Sequence, residues 1–181
     1  MNTQTLENTE LQKYIKFPES ETKIRFQDCD PFGHLNNARY LDYFMHERTE
    51  QVLKHYGLDL NAAAKSGRSW VVRNSMVSHQ LPARFGETVI IKTSVLNFSK
   101  TSITVEGVMT DVTKSNVHAG AWAEFVYIDI NKGRPVRHED DLMDLFSQIS
   151  LDQEFSFGDL KKRTQIFKKG LQNTDAIESA D

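Results

Sequence analysis

The stretch that decides the fold is residues 24–57, which read IRFQDCDPFGHLNNARYLDYFMHERTEQVLKHYG. It starts as a turn-rich polar loop, and then apolar residues recur at four-residue steps, the period of one helix face. The spacing predicts an amphipathic helix over residues 37–56, with Asn36 or Asn37 capping its first amides and Gly57 at its left-handed C-terminal position. The residues on its apolar face are Tyr40, Phe44, Val52 and Tyr56, flanked by Leu41, Met45 and Leu53.

Segments with strand character lie on both sides of this helix. Residues 22–26 alternate around Ile24 and Phe26, and four later segments are rich in β-branched and aromatic residues: 69–78, 88–97, 103–112 and 119–130. The breaks between the four are short and polar, which favours antiparallel neighbours over crossovers. A short helical turn is expected at residues 61–65, and a terminal helix opens near His138.

The order of one strand, one long helix and four strands predicts an α+β domain in which an antiparallel sheet buries one face against the helix. We expect a single domain over residues 19–150, because 181 residues suffice for one well-buried core. A flexible tail is expected at residues 1–18, and a poorly ordered or peripheral extension at 151–181. The basic residues of this extension are predicted to be solvated: Lys161, Lys162, Arg163, Lys168 and Lys169.

Composition excludes several classes of function. The net charge of -3 removes the basic field that a nucleic-acid-binding protein needs. Cys29 is the one cysteine, so no intrachain disulfide can form, which fits a reducing compartment. No apolar run is long enough for a membrane-spanning helix, and the polar N-terminal segment lacks the features of a secretory signal. We therefore expect a cytoplasmic protein without membrane or nucleic-acid partners.

The loop of residues 25–37 is unusual because it places two acids, a histidine and two asparagines between a strand and a helix. One interpretation is structural, in which Asp28 or Asp30 caps a turn and the asparagines cap the helix. The other is catalytic, with a carboxylate facing the free amides of a helix N-terminus, where developing negative charge is stabilised. Such an arrangement suits acyl transfer, with the carboxylate attacking a carbonyl or activating water.

These residues resemble the signature D-x-D-x-x-G-H-x-N-N-x-x-Y-x-x-Y-F of the acyl-CoA thioesterases in the 4-hydroxybenzoyl-CoA thioesterase-like hotdog superfamily. The resemblance covers roughly residues 20–148. It implies a hotdog fold, a five-stranded antiparallel sheet wrapped around one long helix, in homodimers or homotetramers with active sites between subunits. The matching residues are Asp28, Asp30, Gly33, His34, Asn36, Asn37, Tyr40, Tyr43 and Phe44.

The resemblance also implies an activity: hydrolysis of an acyl-CoA thioester to a free acid and coenzyme A, without a cofactor. Asp30 matches the catalytic acid, as general base or nucleophile, and the backbone amide of Asn37 would polarise the carbonyl. Gly33 would let the loop pass close to the substrate, and His34 orders the loop or transfers a proton. Many relatives have a basic residue that would contact the coenzyme A phosphates where this chain has Leu81, a departure from the family pattern.

Further candidates lie outside the motif. Arg84, Lys100, Thr101 and Ser102 occupy strand turns where a nucleotide could bind, and Phe32 could line an acyl tunnel. Arg48 interrupts the apolar helix face, and we expect it to form a structural ion pair. The remaining histidines lack metal-ligand spacing, so no metal site is expected. A Cys29 thiol nucleophile is a weaker alternative.

Two other functions stay open beside acyl-CoA hydrolysis. The first is hydrolysis of an acyl thioester on a carrier protein, where a partner surface replaces the nucleotide site. The second is a non-catalytic acyl-CoA sensor, since a fold alone does not establish chemistry.

Overall fold

The computed structural model describes residues 14–153, together with Arg163 and Gln165. The tail and the extension predicted at 1–18 and 151–181 lie mostly outside the described residues. In the described part of the tail, the rings of Tyr14 and Tyr56 meet edge to face with centroids 6.1 Å apart. The hydroxyl of Tyr56 also donates a 2.8 Å hydrogen bond to the carbonyl oxygen of Ile15. The chain is therefore held against the domain from Tyr14 onward.

A single antiparallel sheet forms the centre of the described fold, and its long strands follow the spatial order β1, β3, β4, β5, β2. The two-residue strand β6 pairs with β5. The α+β class predicted from the sequence is confirmed. The strands are β1 (Glu19–Lys23), β2 (Arg68–His79), β3 (Thr88–Phe98), β4 (Ser102–Asp111), β5 (Val117–Asp129) and β6 (Arg134–Pro135).

Three α-helices accompany the sheet within the described residues: α1 (Tyr40–Tyr56), α2 (Leu60–Lys65) and α3 (Asp140–Ile149). A 3-10 turn over Asn37–Arg39 leads into α1, so the helical segment begins where the sequence predicted. Gly57 ends α1 at φ 67°, the left-handed conformation that glycine adopts without steric cost. Helices α1 and α3 both cover the inner face of the sheet, the face that carries Val105 and Gly107.

The core of the inner face has two parts. Under the first half of α1, Phe44 lies directly on Gly107 of β4, where a Cβ atom would come within 2.5 Å of the Phe44 ring. Only glycine permits α1 to approach β4 this closely. The second part lies between α3 and the other end of the sheet, and its most buried members are Val95, Phe146 and Ile149.

The outer face of the sheet carries a buried ion pair. Glu106 and Trp122 are paired neighbours on β4 and β5, and the Trp122 indole donates a 2.7 Å hydrogen bond to the Glu106 carboxylate. The Arg163 guanidinium contacts the same carboxylate at 2.8 Å and also binds the Gln153 side chain at 2.9 Å. The expectation of a solvated Arg163 is wrong, because its side chain is largely buried against Glu106. The two residues are 57 positions apart in the sequence, so local pattern does not reveal this contact.

Two other expectations are corrected. The first strand ends at Lys23, and Phe26 lies in an exposed 3-10 turn where its ring packs on Phe85 with centroids 5.6 Å apart. Strands β2 and β3 do not pair, although the turn between them is short. The chain crosses the end of the sheet over residues 80–87, because β5 and not β3 pairs with β2 along its length.

Candidate active site

The motif loop is a small hairpin. The amide of Asp30 donates to the His34 carbonyl at 2.8 Å, and the amide of Asn36 donates to the Asp28 carbonyl at 2.9 Å. At its tip, Gly33 has a φ of 75°, which disfavours residues with a Cβ atom. A Cβ on Gly33 would meet no atom within 4 Å, so within this chain the need for glycine comes from its backbone conformation.

The Asp30 carboxylate is half-buried and divided between two environments. Its Oδ1 accepts hydrogen bonds from the amides of Phe32 at 2.9 Å and His34 at 3.2 Å, which is the turn-capping role considered from the sequence. Its Oδ2 has no hydrogen-bond partner among the described residues. The turn therefore fixes the orientation of the carboxylate and leaves one oxygen available for chemistry.

The helix start beside this loop keeps a free donor. The side chain of Asn36 accepts a 3.0 Å hydrogen bond from the amide of Ala38, so Asn36 and not Asn37 is the side-chain cap. The amide of Asn37 precedes the first intrahelical bond and has no acceptor among the described residues. A carbonyl oxygen placed there would receive that hydrogen bond together with the favourable end of the helix dipole.

Asp28 has a different environment from Asp30. The Tyr43 hydroxyl donates to Asp28 Oδ2 at 2.9 Å and accepts from the amide of Arg25 at 3.0 Å. Burial, and next to it the Asp28 carboxylate, raise the pKa of Tyr43, so the phenol stays protonated as a donor. The sequence indicated Tyr43 only as a motif position. Its three-residue spacing from the buried Tyr40 was the available sign that it faces the sheet.

The crossing segment of residues 80–87 forms the other wall of the site. The amide of Leu35 donates to the Ala83 carbonyl at 2.8 Å, and the amide of Phe85 donates to the Gly33 carbonyl at 3.0 Å. This pairing places Arg84 opposite His34. The structure thus brings Arg84, a residue predicted to bind substrate, next to the loop that carries Asp30.

Glu87 and His118 support this wall. A Glu87 oxygen accepts a 2.7 Å hydrogen bond from the amide of Arg84, and the other lies 2.9 Å from His118 Nε2. His118 Nε2 makes no hydrogen bond within the described residues, so the second contact is a close approach only. Sequence reasoning did not single out either residue, because neither lies in the motif.

Lys100, Thr101 and Ser102 lie far from Asp30 in the same chain. They form the turn between β3 and β4, at the opposite end of the 11-residue strand β3 from the crossing segment, a separation of roughly 33 Å at ~3.3 Å per residue. Within that turn, the carbonyls of Lys100 and Thr101 accept hydrogen bonds from His138 and Tyr127. One chain alone therefore does not join these residues to the loop.

Phe32 and Cys29 complete the inventory of predicted residues. Phe32 is 83% exposed at the hairpin tip. The Cys29 thiol donates to the carbonyl of Arg25 at 3.3 Å. Burial, and then the carboxylates of Asp30 and Asp28, raise the pKa of this thiol, which disfavours the thiolate that a nucleophile requires.

No group of three His, Cys, Asp or Glu side chains in the described residues is arranged to hold a metal ion. Among the helices described here, none has the length and apolar character needed to cross a membrane.

Residues 24–146 match the model of the thioesterase-like superfamily, and the chain belongs to this superfamily. It is 30% identical over 122 residues to the chloroplastic acyl-acyl carrier protein thioesterase ATL3 of Arabidopsis thaliana, covering 67% of this chain and 63% of that protein. The long-chain acyl-CoA thioesterase FadM of Escherichia coli is 24% identical over 131 residues, covering 72% of this chain and 98% of that protein. The chain thus spans less than two thirds of the length of its plant relative.

Solved structures share the fold. The DHNA-CoA thioesterase of Staphylococcus aureus superimposes with a TM-score of 0.69 at 19% identity, covering 74% of this chain and 90% of that one. The sheet wrapped around α1 is therefore the hotdog fold, as the resemblance implied.

Proposed function

We propose that the protein hydrolyses an acyl-CoA thioester to a carboxylic acid and coenzyme A, with Asp30 as the catalytic carboxylate. The observation that carries the proposal is that the Asp30 Oδ2 oxygen and the Asn37 amide, at the two ends of the same loop, both lack a hydrogen-bond partner among the described residues. A base or nucleophile and an electrophilic donor on one loop are the two elements that acyl transfer requires. Membership of the thioesterase-like superfamily supports the same reaction.

The chemistry follows from these two groups. A thioester carbonyl at the helix start receives a hydrogen bond from the Asn37 amide, which stabilises negative charge as it develops on the oxygen. Asp30 Oδ2 then acts in one of two ways. As a base it takes a proton from a water molecule that attacks the carbonyl carbon. As a nucleophile it attacks that carbon itself, expels the coenzyme A thiolate and forms a mixed anhydride, which water hydrolyses to the acid and the free Asp30 carboxylate.

A second subunit would complete the binding site. Strand β2 is an edge strand of 12 residues, and its middle residues are exposed, with Val71 at 43% and Val72 at 46%. A long exposed edge presents backbone N–H and C=O groups that can pair with another chain. In each chain, the turn of Lys100, Thr101 and Ser102 and the crossing segment lie at opposite ends of the sheet. Antiparallel pairing of two β2 strands would therefore place this turn of one chain at the same end as the crossing segment of the other. This supports a homodimer in which coenzyme A contacts both chains.

A carrier-protein thioester is the second candidate substrate, and two acyl-acyl carrier protein thioesterases among the relatives favour it. Around the loop, Phe26, Phe32 and Phe85 expose 77%, 83% and 56% of their surfaces. Exposed aromatic side chains beside a reactive group suit contact with a protein that delivers the acyl chain.

The test is thiol release by the purified protein from short, medium, long and aromatic acyl-CoAs, with matched acyl-carrier proteins in parallel. We expect turnover of acyl-CoA with a defined chain-length optimum. Turnover of the carrier-bound acyl group alone would replace the proposed substrate with the second candidate. Binding of acyl-CoA with no thiol released from either series would contradict catalysis and favour the sensor.

A further inference from the structure

Arg48 carries a buried positive charge that no carboxylate of the described residues offsets. The residue lies in the middle of α1 and is 8% exposed. Its guanidinium donates a 3.1 Å hydrogen bond to the Thr93 hydroxyl and lies over the Tyr56 ring, 5.6 Å from the centroid. No Asp or Glu among the described residues lies within ion-pair distance of it, so the structural ion pair expected from the sequence is not formed within the described chain.

The hydrogen-bond network around Arg48 does not supply negative charge either. The Thr93 hydroxyl donates to the Gln51 side chain, and Gln51 in turn donates to the Ile91 carbonyl at 2.9 Å. All of these partners are neutral. Burial lowers the pKa of Arg48, which reflects the cost of keeping the charged form away from water. A guanidinium has five N–H donors, and the contacts above use few of them.

Arg48 borders a cavity between α1 and α3 over the inner face of the sheet. The cavity contains about 590 Å³ of empty space, a figure that includes its open mouth. Its floor is buried and apolar, with Val52, Val105 and Phe146, whereas Leu58 and Ser69 at its other side are half-exposed. The cavity therefore opens near the connection between α1 and α2, and the Arg48 guanidinium lies at the buried side.

This cavity is separate from the Asp30 loop. Arg48 lies eight residues beyond the first residue of α1, which is about 12 Å along the helix axis at ~1.5 Å per residue. Between them, the Phe44 ring packs directly on Gly107 of β4. None of the loop residues 28–37 lines the cavity.

We propose that the cavity between α1 and α3 binds a monocarboxylate with an apolar chain, its carboxylate paired with Arg48. The apolar walls fit the chain, and the unpaired buried guanidinium supplies the charge and the hydrogen bonds that a carboxylate accepts. Neither a neutral apolar molecule nor an amine would offset the charge of Arg48. The carboxylate of the bound ligand lies at Arg48, and its apolar chain extends toward Leu58. This binding site stands independently of the hydrolytic reaction assigned to Asp30.

The test uses decanoate, decanol and decylamine below their aggregation concentrations, with calorimetry to measure binding and tryptophan fluorescence to locate it. Trp70 lines the cavity, whereas Trp122 lies against Glu106 on the outer face, so a bound ligand changes the emission of Trp70. We expect decanoate to bind at least 10-fold more tightly than either neutral or cationic probe. The Asp30→Asn protein is expected to bind decanoate as the wild type does.

Arg48→Met is the matched variant, since methionine keeps much of the apolar stem. In it, decanoate affinity is expected to fall at least 10-fold while decanol affinity changes less than about threefold. Trp70→Phe is expected to keep the calorimetric signal and lose the fluorescence change. Equal affinity of the wild type for decanoate and decanol would overturn the proposal, and so would no binding of decanoate or an undiminished affinity in Arg48→Met. The comparison of the three probes decides the matter in wild-type protein even when Arg48→Met does not fold.

Discussion

Tyr43 of α1 holds Asp28 of the motif loop through a 2.9 Å hydrogen bond from its hydroxyl to the carboxylate. The same hydroxyl accepts a hydrogen bond from the Arg25 amide, so Tyr43 connects both Arg25 and Asp28, at the start of the loop, to α1. The two acids of the motif thus differ in role. Asp28 is occupied by an internal partner, whereas Asp30 keeps one oxygen free.

Removing either side of this contact is expected to lower stability by a similar amount. Tyr43→Phe and Asp28→Ala should each cost about 1.5 kcal/mol in the free energy of unfolding, because each removes one side of a hydrogen bond to a charged acceptor. Denaturant unfolding of both single variants and the double variant measures the coupling. The double variant is expected to cost less than the sum of the singles. Full additivity would show that the two side chains do not interact in solution.

Asp30→Asn is expected to abolish most of the turnover. Asparagine retains a side-chain oxygen for the amides of Phe32 and His34, but it cannot take a proton or attack a carbonyl as a carboxylate does. We expect kcat to fall on the order of 100-fold or more, with a smaller change in KM and little change in Tm. Thiol release and thermal unfolding are measured side by side.

Asp28→Asn is the control for this experiment, since it lies two positions away and its oxygen is engaged by Tyr43. Its kcat is expected to fall much less than that of Asp30→Asn. Near-wild-type turnover in a folded Asp30→Asn protein would refute the mechanism.

The exposed edge of β2 leads to an expectation about assembly. Light scattering at micromolar concentration should give the mass of two or four chains, because pairing of β2 edges covers Val71 and Val72. Val72→Lys is expected to shift the protein toward the monomer and to reduce turnover, because it adds a second positive charge beside Arg73 on the edge that would pair. A wild-type monomer with full activity would contradict a shared site.

Arg163 is expected to contribute strongly to stability. Its partner Glu106 is buried on the outer face, with 6% of its side chain exposed, so Arg163→Met leaves a buried carboxylate without its cation. Removing one partner of such a pair costs about 3 kcal/mol. Arg163→Met with Glu106→Gln should recover part of this loss, because the amide still accepts from Trp122 and carries no charge. Thermal and denaturant unfolding measure both variants.

Deletion of residues 160–181, which removes Arg163, should lower Tm in the same way. We expect kcat, measured well below the Tm, to stay close to that of the full chain. A Tm equal to that of the full chain would show that the ion pair contributes nothing in solution.

His138 makes stability depend on pH. Its Nε2 accepts from the Trp70 indole at 3.2 Å, its Nδ1 lies 3.2 Å from the Ser99 carbonyl, and burial lowers its pKa. The unfolded chain therefore binds a proton more readily than the folded one. The stabilisation is complete above the ordinary pKa of about 6.5 and is lost as the pH falls through the lower folded value.

The variant His138→Gln isolates this effect, because glutamine can accept from Trp70 and donate to Ser99 without titrating. We expect Tm of the wild type to fall more steeply than that of His138→Gln between pH 7 and pH 5. His79, whose pKa burial also lowers, contributes equally to both proteins. Parallel Tm profiles would rule out the contribution of His138.

Local sequence patterns were enough to predict where the helices and strands lie and which loop carries the motif. The helical spacing of Tyr40, Phe44, Val52 and Tyr56 located α1, and the four later strands begin and end within a few residues of their predicted limits. The first strand was predicted to extend to Phe26 because the alternation of apolar and polar residues continues past Ile24 into the turn. Position within the sheet was harder to predict. Strand β2 pairs with β5 across about fifty residues, and short connections do not report such pairing.

The chemical environment of single residues was the least predictable part. Sequence shows that Arg48 lies on an apolar helix face, but whether a carboxylate reaches it depends on the packing of three separate elements. The same holds for Arg163 and Glu106, which are brought together by the tertiary structure alone. Roles assigned to Asp30 and Asn37 from the motif remain predictions that the variants above test.

The pairing of residues 33–35 with residues 83–85 makes the Asp30 loop part of the sheet's end, so it is preformed before any ligand arrives. Hydrogen bonds at Gly33 and Leu35 restrain it, and its movement requires movement of the crossing segment as well. A preformed loop has little conformational entropy to lose when it binds a ligand. Substitutions at Pro82 or Phe85 can therefore move the Asp30 carboxylate although the motif itself is unchanged.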